Sequence, residues 1–87
     1  MGFTRAEFDR ILPAAFNDRP FTVNDNLVSC PVHSGTMHLS ISEQKFRKIA
    51  SISLPYLEID FLFENMDQKQ VDTTMRFFDL RYQRGGG

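Results

Sequence analysis

Two short runs of alternating apolar residues constrain this chain more than anything else in it. Val28, Cys30 and Val32 take every second position, and Met37, Leu39 and Ile41 repeat the pattern after a gap. Successive side chains in a strand point to opposite faces, so each run is a strand with one face to bury. Placing both apolar sets on one face of an antiparallel pair sets Val32 opposite Met37, Cys30 opposite Leu39 and Val28 opposite Ile41. His33-Ser34-Gly35-Thr36 is then a four-residue hairpin loop.

A sheet with one apolar face needs a cover, and both ends of the chain read as amphipathic helices. Thr4 and Glu7 have the spacing of a capping box, with Phe3 and Phe8 at the two hydrophobic-staple positions. Phe8, Ile11, Leu12, Ala15 and Phe16 then make one apolar stripe. Pro13 removes a helical donor, which predicts a kink near Leu12 or a split, and Asn17-Asp18-Arg19-Pro20 is a stop signal. The second helix is expected from about Asp67 to Arg84. Asp67 and Gln70 form its cap pair, Met66 and Val71 its staple, and Val71, Met75, Phe78 and Tyr82 its stripe, widened by Phe77 and Leu80. Asp67 at its start and Arg81 and Arg84 at its end suit the helix dipole.

Residues 21–64 read as strands. Phe21-Thr22-Val23 is short and runs into the turn-like Asn24-Asp25-Asn26. Residues 43–49 fit either a helical turn capped by Ser42 or a polar loop leading to a strand, and the loop is preferred. Ala50, Ile52 and Leu54 share one parity, whereas Leu57, Ile59, Phe61 and Phe63 share the other. That switch predicts a bulge, bend or break at Pro55, followed by a strand over Tyr56–Glu64. The expected architecture is α+β: an antiparallel β-meander of four or five strands with an N-terminal and a C-terminal helix packed on one face. Residues 1–84 form a single small domain, and residues 85–87 a flexible glycine tail.

An 87-residue chain buries roughly 60–65% of its unfolded surface, so the core is small. Nine Phe, two Tyr and no Trp fill it with apolar area that needs few hydrogen-bond partners. A net charge of −1 argues against nucleic-acid binding through bulk charge. No apolar run approaches the length of a membrane helix, and no signal peptide is read at the N-terminus, so membrane partners are not expected. Cys30 is the only cysteine, which leaves no internal disulfide and makes a reducing cytoplasm the expected compartment.

Reaction motifs are scarce. Cys30, His33 and His38 have metal-binding side chains, but their spacing fits no standard site. Strand parity puts Cys30 in the core, His38 on the opposite face and His33 in the turn. The same separation rules out a Cys–His nucleophile pair. None of Ser29, Ser34, Ser40, Ser42, Ser51 and Ser53 lies in a nucleophile elbow, and Gly2 and Gly35 make no phosphate loop. Glu58, Asp60 and Glu64 share one strand face at steps of about 7 Å. That geometry could seat a cation, but it reads as a charged solvent face, with Lys45, Arg47 and Lys48 near enough to offset some of it. No catalytic residue, metal or cofactor is therefore expected.

Three functional readings follow. The leading one is a non-enzymatic cytoplasmic domain that binds another protein or itself, since a small chain rich in aromatics has apolar surface to spare. The second rests on the tail. Leu80-Arg81-Tyr82-Gln83-Arg84-Gly85-Gly86 resembles the terminus of ubiquitin and the small sulfur-carrier proteins, where a basic segment leads to a Gly-Gly end. That resemblance implies a carrier or conjugated protein acting through Gly85, Gly86 and the Gly87 carboxylate. The third is an RNA-binding module using the basic patch Arg76, Arg81 and Arg84, which is interleaved with Phe77, Phe78 and Tyr82.

Overall fold

A computed structural model describes residues 1–86, with side chains described as far as residue 83. The order is helix α1 (Arg5–Ala15), strands β1 (Thr22–Asn24), β2 (Leu27–Val32), β3 (Gly35–Ile41), β4 (Lys45–Ile49), β5 (Ile52–Tyr56) and β6 (Ile59–Glu64), then helix α2 (Gln68–Gly86). The fold is α+β, with six antiparallel strands in two sheets. β1-β2-β3-β6 form the main sheet, and β4-β5 form a separate hairpin.

Both helices start as their sequences dictate. Thr4 Oγ1 accepts from the Glu7 amide at 3.2 Å, and Glu7 Oε1 accepts from the Thr4 amide at 2.9 Å. Asp67 and Gln70 exchange the equivalent bonds at 2.8 and 3.1 Å. Pro13 does not split α1, because it falls in the last turn and the helix runs through it to Ala15. Asn17 then takes φ 54°. Bonds from the Asp18 amide to the Pro13 carbonyl and from the Asn17 amide to the Ala14 carbonyl close the helix end as a Schellman motif.

The expected hairpin register is corrected by two residues. β2 and β3 pair Val28 with Leu39, Cys30 with Met37 and Val32 with Gly35, so the loop is only His33-Ser34. Two causes are visible. His33 adopts φ 55°, the left-handed conformation that opens the tight turns matching strand twist. Gly35 is then needed inside the ladder: a Cβ there would lie 1.9 Å from the Glu64 carbonyl oxygen. A shift of two leaves side-chain parity intact, so the apolar face survives the correction.

Two further expectations change in the middle of the chain. Lys45–Ile49 is a strand rather than a polar loop, paired with Ile52–Tyr56 through the turn Ala50-Ser51. The break expected at Pro55 falls instead at Leu57-Glu58, so Tyr56–Glu64 is not one strand. The parity switch marks a change of sheet. Ile52 and Leu54 lie on the exposed hairpin, Leu57 is fully buried, and Ile59, Phe61 and Phe63 face the core half-buried.

The core lies between the inner sheet face and the two helices. Phe8 and Leu12 of α1, its C-cap Phe16, and Phe78 and Tyr82 of α2 meet Val28, Cys30, Val32, Met37, Leu39 and Ile41. Ring contacts run through it: Tyr82 stacks on Phe8 at 4.9 Å between centroids and lies 4.8 Å from Phe78, which meets Phe61 edge-on at 5.5 Å. Such pairs add to the burial of apolar area.

Candidate functional site

With the inner face consumed by packing, two outward surfaces among the described residues stand out. The first is the outer face of the main sheet. There the observed register aligns Leu27, Ser40 and Asp60 in one row, Ser29, His38 and Leu62 in the next, and Pro31, Thr36 and Glu64 in a third. A shallow groove of about 340 Å³ crosses these rows. Ser29 Oγ lies 2.8 Å from His38 Nδ1, and His38 Nε2 meets a Glu64 carboxylate oxygen. A carboxylate only accepts, so Nε2 carries the proton, and in the neutral imidazole Nδ1 then accepts from the Ser29 hydroxyl.

This relay is not visible under the expected register. With Cys30 opposite Leu39, His38 falls opposite Pro31 and Ser29 opposite Ser40. The signal that finds it is shared parity combined with a two-residue loop. Chemically the relay holds the imidazole in one tautomer and orients the serine. β2 and β3 are interior strands, so the backbone amides beside the relay are engaged in the ladder.

The second surface is the β4–β5 hairpin. It carries Phe46, Ile49, Ile52 and Leu54, all 45–62% exposed, along only two five-residue strands. Lys45, Arg47 and Lys48 lie on the same arm, and none of the chain's eleven acidic residues does, although acids outnumber bases over the whole chain. Arg47 rests 5.5 Å from the centre of the Tyr56 ring, and Lys45 Nζ lies 3.5 Å from Glu58. The hairpin root is fixed by Gln44, whose side chain bonds the Arg5 amide at 2.8 Å and the Tyr56 carbonyl at 3.1 Å. A two-stranded hairpin is marginal by itself, so this anchoring matters for its shape.

The residues singled out from the sequence are mostly kept apart. Cys30 is buried in the core, and desolvation pushes its thiol pKa up, with the Arg19 charge opposing. His38 lies on the outer face and His33 in the turn. Asp60 and Glu64 share the outer face, whereas Glu58 precedes β6 and pairs with Lys45. Arg76 and Arg81 diverge by about 140° around α2, and the Arg81 guanidinium lies 4.8 Å from the Phe77 ring centre. The Arg84 side chain lies outside the described ones. Gly85 and Gly86 continue the backbone of α2, and the Gly87 part of the tail reading lies outside the described residues. No helix among the described residues is long and apolar enough to cross a membrane. Comparison with protein-family models, curated proteins and solved structures finds no match to this chain.

Proposed function

We propose that this chain is a non-enzymatic binding domain that docks another protein or a second copy of itself through the β4–β5 arm. One observation carries the reading. Phe46, Ile49, Ile52 and Leu54 are exposed together on a hairpin that shares few contacts with the rest of the fold. Scattered exposed apolar residues are ordinary, but four on one short hairpin, with Phe46 on one face and Ile49, Ile52 and Leu54 on the other beside three cations, suit a contact surface. Aromatic and aliphatic anchors supply buried area, and the rim cations select partners by charge.

The test is affinity capture from cell extract with the intact chain and with a Phe46→Ser, Ile49→Ser variant. Both positions are exposed, so the variant is expected to fold. Loss of the captured partner supports the arm as the docking element. Unchanged capture by the variant rejects it.

A further inference from the structure

Resting on that reading, we propose that the occupant of the arm is a second copy of this chain, with β4 of one copy adding antiparallel to the free edge of β6 in the other. The phase of the ladder is fixed by the Ser42 amide, which donates to the Glu58 carbonyl at 2.9 Å. Even-numbered residues of β6 therefore bond β3, and Ile59, Phe61 and Phe63 turn their N–H and C=O groups away from the sheet. Leu57 confirms the phase. It exchanges backbone bonds with Met1 on that outward side, at 2.6 and 2.7 Å. Beyond Leu57, no backbone group among the described residues meets this edge.

β4 has a matching edge. Its turn is closed by Ile49 opposite Ile52, so Phe46 and Lys48 turn their backbone groups away from β5. The far side of the hairpin is blocked, because Pro55 lies opposite Phe46 and has no N–H to offer there. Only the β4 side of the arm can extend a ladder without a gap.

Charge and parity then set the register. Full overlap of the two strands places Phe46 opposite Phe63 and Lys48 opposite Phe61 as hydrogen-bonded pairs. Between them fall Lys45 opposite Glu64, Arg47 opposite Leu62 and Ile49 opposite Asp60. Arg47 then lies diagonal to both Asp60 and Glu64, within reach of either. Phe46 joins the face that carries Phe61 and Phe63. Ile49 and Leu54 join the outer face beside the exposed Leu62. The product is a six-stranded sheet, β1-β2-β3-β6 continued by β4 and β5 of the second copy. Each copy has one donor arm and one acceptor edge; the proposed pair is the two-fold form in which both are exchanged, whereas one-way exchange would continue as an open chain.

Sedimentation equilibrium of the full chain is the direct test. A mass of twice the 10.1 kDa chain is expected. Arg47→Glu should weaken association roughly tenfold or more, and adding Asp60→Arg to the same chain should restore most of it. Lys48→Pro removes an N–H that β5 does not use, so it should abolish the pair while the hairpin's own ladder remains in the amide spectrum. A chain carrying Lys45→Cys mixed with one carrying Glu64→Cys should give a disulfide-linked heterodimer on oxidation.

A chain that stays monomeric at millimolar concentration overturns the proposal, as does association indifferent to both Arg47→Glu and Lys48→Pro. Binding of a monomer to phosphatidylserine vesicles through the arm, without self-association, reassigns it to an anionic surface and also overturns the second copy. If the chain is monomeric but Phe46→Ser, Ile49→Ser still loses a captured protein, only the second copy fails. If neither capture nor association depends on those residues, the docking reading fails with it.

Discussion

The Tyr82 hydroxyl donates to the Phe8 carbonyl at 2.9 Å, tying α2 to α1 across 74 residues of sequence. Desolvation raises the Tyr82 pKa far above its ordinary 10.0, with the nearby Asp9 charge adding to the effect. The phenol keeps its proton in the fold and loses it near pH 10 once unfolded. Its contribution to stability is therefore complete below about pH 10 and declines as pH rises beyond that. Tyr82→Phe should cost about 1 kcal/mol at neutral pH, the net worth of one hydrogen bond. It should also flatten the alkaline limb of stability against pH, measured by urea denaturation.

Phe78 and Phe61 occupy one edge-on pair but differ in burial, Phe78 being fully buried and Phe61 half so. Phe78→Ala should cost about 3–5 kcal/mol, the usual loss for a core Phe. Phe61→Ala should cost about half as much, because part of its ring already faces water. Chemical denaturation of both variants checks the order. Equal losses would place Phe61 inside the core.

Gly35→Ala is expected to cost at least about 2 kcal/mol, although it adds only a methyl group. The Cβ would meet the Glu64 and Asn65 carbonyl oxygens at 1.9 and 2.8 Å, and backbone cannot move aside as a flexible side chain can. A thermal melt and the amide shifts of residues 64–66 read the effect. An unchanged melting temperature would refute the close approach.

The capping box gives a prediction with the opposite pH sign. Hydrogen bonds from the Thr4 backbone amide, then the Thr4 hydroxyl, hold the Glu7 pKa below its ordinary 4.5. Its contribution is present above the unfolded value and disappears as pH falls through the lower, folded value. Amide exchange in the first turn of α1 should quicken as pH drops through that range, after correction for intrinsic rates. Thr4→Ala should remove that extra pH dependence and cost about 1 kcal/mol.

Cys30 should react slowly with thiol reagents in the native protein. Its side chain is buried between β2 and the helices, and its raised pKa lowers the thiolate fraction. Labelling should appear at the rate of unfolding. Fast labelling without denaturant would contradict the burial.

The two helix starts were legible in the sequence because a capping box is a local contract: Thr4 with Glu7 and Asp67 with Gln70 need nothing from elsewhere in the chain. The inner sheet face was legible for a similar reason, since parity is written into alternate residues. Register was not. It depended on whether Gly35 belonged to the loop or to the ladder, which the left-handed turn at His33 and the distant Glu64 carbonyl decide together. The Ser29–His38–Glu64 relay was lost with it. The arm was obscured differently. Phe46, Ile49, Ile52 and Leu54 look like core residues by composition, and no local pattern says that a strand will project instead of pack.

The chain also carries its own spectroscopic labels. It has no tryptophan and two tyrosines, one at the root of the hairpin and one at the seam between the helices. Tyr82→Phe leaves Tyr56 as the only tyrosine emitter, under the Arg47 guanidinium, where its signal follows events on the arm. Tyr56→Phe leaves Tyr82 alone in the aromatic core, where emission follows unfolding. Two conservative substitutions thus separate docking from folding in the same optical channel, with no dye attached.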